Sequence, residues 1–141
     1  LFDTNSHSVD LFRMLLGEIV EQRAVTHQHF PGTDVEDAGI LVVKSAEGVL
    51  GTMTSTFVAG VGQAFISIMG QKGEIAYDYF VPEVIKLRRA DQPEAQVIKT
   101  VASGGFVEQI AHLLGAIRGE HPLSCTVADG RRAVEIIQSV Y

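Results

Sequence analysis

Residues 49–57, VLGTMTSTF, alternate sides: Val49, Met53 and Phe57 fall on one face and Thr52, Thr54 and Thr56 on the other. A period of two belongs to an extended strand with one packed and one accessible face, and it excludes a helix here. The apolar run at 40–43 precedes it across Ala46, Glu47 and Gly48, where glycine can take a positive φ, so the two segments read as a hairpin. A second hairpin is expected where 65–69 meets 75–79 across Gly70, Gln71, Lys72 and Gly73. Further strands are expected at 19–30, 84–88 and 96–101, with Pro82 and Pro93 as punctuation.

Both ends of the chain change period. Val9, Phe12, Leu15 and Leu16 have helical spacing over 6–16, and Gly17 stands where a helix stops. Phe106, Ile110, Leu113, Leu114 and Ile117 form a second stripe, ended by Gly119 and Pro122. Thr126 and Asp129 then have the spacing of an N-cap and its acidic partner, opening a last helix with Ala133, Ile136, Ile137 and Val140 on one face. The order implies an α+β fold, an open, mainly antiparallel sheet with helices packed on one face, in a single domain over 1–141. At 141 residues the chain can enclose a core. It does not begin with methionine, from which we expect a processed or excised piece.

Composition narrows the function. The formal charge of −6 argues against a nucleic-acid surface, which needs clustered Lys and Arg. Charged residues make up 20%, below the usual quarter, which points to a surface partly buried against a partner. One cysteine, Cys125, cannot form an internal disulfide, and no apolar run reaches the length of a membrane span, so a cytoplasmic soluble domain is expected. Neither GxGxxG nor GxxxxGK[ST] is present, and no βαβ alternation would carry a nucleotide.

The opening stretch, LFDTNSHSVDLFRMLLG, carries the chemistry. Asp3 and His7 lie one helical turn apart, so a helix that reaches back to Asp3 puts both on one side. A carboxylate can then orient an imidazole, the pairing that general acid-base catalysis uses near neutrality. The competing reading is that Asn5 or Ser6 caps the helix while Asp3 and Asp10 complement its dipole. His27 and His29 would face the same way on a strand, as two metal ligands can, with a third from Asp34, Glu36 or Asp37; surface histidines are the commoner meaning. His112 and His121 read as structural or solvated, Cys125 as a small hydrophobe, and Gly104-Gly105 as a loop before a helix.

Residues 3–11, DTNSHSVDL, resemble the D-x-G-x-H-x-x-D-L signature that opens the C-terminal domain of the Gfo/Idh/MocA oxidoreductases, the glucose-fructose oxidoreductase and inositol dehydrogenase family. The likeness continues in family order through VEDA at 35–38, EGVLG at 47–51, IMGQKGEI at 68–75, FVEQI at 106–110 and VADGRRA at 127–133. Asn5 departs from it, standing where the family often has glycine.

The resemblance implies NAD- or NADP-dependent oxidoreduction of a hydroxyl and carbonyl pair on a sugar, polyol or related small molecule. It implies a preceding Rossmann domain, absent from this chain, that binds the cofactor and supplies a lysine from an E-K-P segment. No cofactor-binding or metal residues are then expected here. Carried over, His7 is the proton donor or acceptor, Asp3 positions the substrate or that histidine, and Asn5 meets the substrate. The isolated piece is expected to be inactive, and the open sheet face to pack against another subunit in a homodimer or larger homo-oligomer. A non-enzymatic binding or dimerisation module is the alternative.

Overall fold

The computed structural model describes residues 2–92, 94–101 and 105–141; Pro93 and Gly104 lie outside the described residues. It shows an α+β protein with helices α1 (Phe2–Leu16), α2 (Phe106–Ile117) and α3 (Val127–Gln138). The strands are β1 (Ile19–His27), β2 (Ala38–Ser45), β3 (Leu50–Thr56), β4 (Phe65–Gly70), β5 (Gly73–Asp78), β6 (Val84–Arg89) and β7 (Gln96–Lys99). Both expected hairpins form, β2–β3 and β4–β5. All described pairings are antiparallel, but they make two sheets, β1-β2-β3 and β4-β5-β6-β7, where one was expected. The ladder stops at Thr56, and residues 57–64, FVAGVGQA, run without strand structure until β4 opens a new one. Contacts likewise divide the chain into two compact units, one made of the chain up to Gly60 together with Ser124–Tyr141, the other of Val61–Leu123.

In the first unit, α1 forms because Val9, Phe12 and Leu16 recur on one stripe. It ends where Gly17, at φ 93°, donates its N–H to the Arg13 carbonyl. The inner face of β1-β2-β3 carries Ala24, Leu41, Val43 and Met53, and these join Val9, Phe12 and Ile19 with Ala133, Ile136 and Ile137 of α3 in one apolar core. Leu41, Val43, Ile19, Ile136 and Ile137 are fully buried, each stabilising the fold by roughly 1.5–3 kcal/mol. Gly51 is what lets α1 approach: a Cβ there would lie 2.6 Å from the Phe12 ring. The alternation of β3 holds, with Met53 buried and Thr52, Thr54 and Thr56 exposed. Phe57 follows the strand and is exposed instead of joining Met53.

The capping pair opens α3 as expected: the N–H and hydroxyl of Thr126 both donate to Asp129 Oδ2, at 2.8 and 2.7 Å.

In the second unit, the register places Ile66, Ile68, Ile75, Tyr77, Ile85 and Leu87 on one face of β4–β7 and Ser67, Glu74 and Arg88 on the other. Glu74 accepts from Ser67 Oγ at 2.7 Å and from Arg88 at 2.6 Å, tying three strands on that polar side. The stripe of α2 behaves differently from the expectation of helices packed on a sheet. Phe106, Ile110, Leu113, Leu114 and Ile117 are all exposed, and only Gly115 is buried. Among the described residues no helix is long and apolar enough to cross a membrane.

Candidate functional site

The first helix reaches back to Phe2, so Asp3 and His7 lie within it, one turn apart. At 100° per residue their directions differ by about 40°, and both side chains are exposed on the same side of α1. No hydrogen bond joins them. The Asp3 carbonyl accepts from Ser6 Oγ at 2.8 Å, a bond within the first turn. An exposed carboxylate and imidazole one turn apart can bind a polar solute and move a proton on it.

Asn5 is not brought together with them. Its direction falls with Val9, Phe12 and Leu16, about 160–200° from Asp3 and His7, and it is 1% exposed. Among the described residues neither its Nδ2 nor its Oδ1 has a hydrogen-bond partner. A residue that sequence reading assigns to the substrate thus sits on the core stripe of the helix.

A network that the spacing of residues did not announce fixes the far end of α1. Arg13 donates from Nε to Glu18 Oε2 at 2.9 Å and from Nη1 to the Asp129 carbonyl at 3.1 Å. Arg132 donates from Nε to Glu18 Oε1 at 2.7 Å and from Nη2 to the Ile19 carbonyl at 3.0 Å. Burial opposes ionisation of Glu18, but the hydrogen bonds from Arg132 and Arg13 outweigh it and hold its carboxyl below the ordinary value. The twin arginines at 131–132 divide their work: Arg131 serves its own helix through Glu135, and Arg132 turns to Glu18. Cys125 shares a shallow cleft with Asp10, Arg13 and Asp129. Desolvation, then the Asp10 and Asp129 carboxylates, raise its thiol above the ordinary value, which keeps it protonated and weakly nucleophilic.

His27 and His29 do not share a strand face. β1 ends at His27, and the N–H of His29 instead donates to the Asp37 carboxylate at 2.8 Å, with Phe30 N–H donating to the same group at 2.7 Å. The Phe30 hydrogen bond first, then that of His29, hold the Asp37 carboxyl below the usual range against its desolvation. Asp37 is therefore the pin of the 28–36 loop, which a phenol hydrogen bond from Tyr141 to Glu36 also holds. No group of three or more His, Cys, Asp or Glu among the described residues could hold a metal ion. His112 and His121 stack on each other, ring centroids 4.4 Å apart, and Gly105, at φ 75°, is the N-cap of α2.

These features define an α+β domain of two antiparallel sheets with an exposed acid and imidazole on its first helix. The GFO/IDH/MocA C-terminal domain family matches residues 1–76, more than half of the chain, and the chain belongs to that family. No curated protein sequence matches it. Among solved structures, UDP-N-acetylglucosamine 3-dehydrogenase GnnA from Acidithiobacillus ferrooxidans is similar over 98% of this chain and 44% of its own, with 21% identity and a TM-score of 0.87. Levoglucosan dehydrogenase in complex with NADH is similar over 98% of this chain and 47% of its own, at 21% identity and a TM-score of 0.85. An oxidoreductase domain protein from Kribbella flavida matches 98% of this chain and 47% of its own, at 22% identity and a TM-score of 0.80. At such identities the likeness establishes the fold, and the chain spans less than half the length of each of these structures.

Proposed function

We propose that this chain is the substrate-facing and self-associating part of a nicotinamide-dependent oxidoreductase acting on a sugar, polyol or related hydroxyl and carbonyl pair. The observation that carries the reading is the exposed Asp3 and His7 pair, one turn apart on α1, in a chain of this family. The full-length solved relatives support the reaction class, because those with assigned activities are dehydrogenases and one holds NADH.

The described residues do not fit the dinucleotide itself: the sheets are antiparallel, without the crossover and glycine-rich turn that cradle a pyrophosphate. A preceding Rossmann domain would hold NAD or NADP, which accepts or supplies the hydride. The residues of this chain do the proton work. His7 takes the proton from the substrate hydroxyl as a carbonyl forms, or returns it in the reverse direction. The carboxylate of Asp3, one turn away, orients the imidazole or a neighbouring hydroxyl of the substrate. The contact of Asn5 with substrate is part of this reading and requires its buried carboxamide to become accessible.

A second copy of the chain is the proposed partner, through an open sheet face. The outer face of β1-β2-β3 offers Val25, Ile40, Val42 and Leu50 beside the Thr comb of β3, a mixed apolar and hydroxyl surface suited to self-pairing. The single cysteine favours a cytoplasmic location. A non-enzymatic dimerisation module is the second reading, supported by the quantity of exposed apolar surface and by the absence of a bond between Asp3 and His7. An activity screen of the full-length protein, following NAD(P)H absorbance over sugars, polyols and their keto forms, separates the two. Turnover supports the enzyme, and silence with no cofactor binding supports the module.

A further inference from the structure

The loop between β1 and β2, residues 28–36, lies at the end of the first unit where α1 begins. At the opposite end, the last turns of α1 meet the β2–β3 hairpin: Gly17 lies against Glu47, and Gly51 against the Phe12 ring. β1 starts there, with Ile19 opposite Ser45, and runs away from the hairpin to His27 opposite Ala38. α3 keeps step with it. Arg132 donates to the Ile19 carbonyl at 3.0 Å, Gln22 Nε2 donates to Ser139 Oγ at 2.6 Å, and Tyr141 donates to Glu36 in the loop itself. The strand from Ile19 to His27 spans about 26 Å. Leu16 lies about 14 Å along the helix from His7 and about 20 Å from Asp3, so β1 delivers the loop to the level of the first turns of α1. Helical side chains tilt toward the N-terminus, and Asp3 and His7 therefore lean toward this end.

The loop is held in shape. Asp37 fixes its first residues through the N–H groups of His29 and Phe30, Gln28 Nε2 donates across it to Thr33 Oγ1 at 3.0 Å, and Tyr141 ties Glu36. Gln28, Thr33 and Glu36 thus serve the loop, whereas His29 and Asp34 are exposed and neither side chain is committed to a hydrogen bond among the described residues. The Phe30 ring stands edge-on to the His29 imidazole, centroids 5.4 Å apart, and supports it from one side.

We propose that the β1–β2 loop is the substrate-selecting wall of the Asp3 and His7 site, with His29 and Asp34 as specificity-determining residues that hydrogen-bond hydroxyls away from the reacting carbon. The inference rests on the proposed role of Asp3 and His7. A polyol or sugar that places one carbon at His7 presents its other hydroxyls to whatever borders that end of the helix. An imidazole and a carboxylate on a fixed backbone distinguish epimers, because a hydroxyl of the wrong configuration leaves them unpaired. The anchoring by Asp37 and Tyr141 matters for the same reason: a wall already in place costs little ordering when substrate binds.

The test compares His29→Ala, Asp34→Ala and Tyr141→Phe with the unaltered full-length protein, by thermal unfolding and by steady-state kinetics on a panel of sugars and polyols that includes epimers of the best substrate. His29→Ala and Asp34→Ala should each raise KM for that substrate about tenfold with kcat nearly unchanged, and should narrow its preference over the epimers by a similar factor. Their melting temperatures should hold, since both side chains are exposed. Tyr141→Phe, which removes only the hydroxyl that ties Glu36, should also blunt the preference. Unchanged KM values and epimer ratios in all three variants would overturn the inference, and so would a fall in kcat with KM unchanged. His7→Ala, assayed beside them, separates the two levels of the account. Lost turnover in His7→Ala with unaltered selectivity in the loop variants overturns the inference alone, whereas intact turnover in His7→Ala, or no turnover of any sugar or polyol by the unaltered protein, overturns the reading of the site and the inference with it.

Discussion

Nε of Arg13 lies 2.9 Å from Oε2 of Glu18, joining the last turn of α1 to the residue that leads into β1. The same carboxylate receives Arg132 from α3 on its other oxygen, so one acid holds three elements in place around the apolar core. This is the joint that orients the helix carrying Asp3 and His7.

Arg13→Met tests that joint. Arg13 is the most enclosed member, with 13% of its side chain exposed, and its loss also removes a hydrogen bond to the Asp129 carbonyl. Charge-assisted hydrogen bonds of this kind contribute on the order of 1–3 kcal/mol, reduced by the 42% exposure of Glu18. A lower urea midpoint with an unchanged m-value is the expected outcome.

Acid should expose the same chemistry. Glu18 and Asp37 both have carboxyls held below their ordinary values in the folded chain, so each contributes stability that is present above its unfolded value, about pH 4. That stability is lost as pH falls through the lower folded values. Urea midpoints should therefore be flat from neutrality to about pH 5 and fall below about pH 4. Asp37→Asn, which removes the charge that pins His29 and Phe30, should lower stability at neutral pH and make the acid fall shallower.

Two glycines are predicted to be intolerant for different reasons. At Gly51, an alanine Cβ would press 2.6 Å from the buried Phe12 ring, an overpacking that costs about 1–3 kcal/mol. At Gly73, with φ 148°, the Cβ would lie 2.0 Å from the Arg88 carbonyl oxygen, and the β5–β6 ladder itself must yield. Chemical denaturation of Gly51→Ala, and amide exchange across β5 and β6 in Gly73→Ala, separate the two effects.

Self-association is checked by sedimentation of the full-length protein. A dimer or larger oligomer at micromolar concentration is expected, and Ile40→Lys, on the outer face of β2, should shift it toward monomer with little change in stability. A monomer under these conditions would refute the proposed interface.

Much of the fold was legible because it rests on periods and punctuation. The Thr comb of 52–56 gave a strand with a packed face, Gly17 ended α1, and Thr126 with Asp129 opened α3. What was hidden depends on contacts distant in sequence. Nothing local shows that Arg132 reaches Glu18, or that the ladder breaks after Thr56 to leave two sheets. The stripe of α2 was read correctly as helical, yet its exposure has no sequence signature, since an amphipathic pattern reports a face and not what covers it. At the site, spacing brought Asp3 and His7 to one side, whereas the same arithmetic turns Asn5 inward; the family likeness assigned Asn5 by motif position, which carries no direction.

The proposed chemistry turns on His7 as the group that moves the proton. Its most direct test is steady-state turnover of the full-length protein against His7→Ala on a sugar or polyol that it oxidises, with nicotinamide cofactor affinity measured beside it. A loss of about 10²–10⁴-fold in kcat with cofactor binding retained is expected. Turnover within about twofold of the unaltered protein, a ratio too small for a lost proton acceptor, would contradict it.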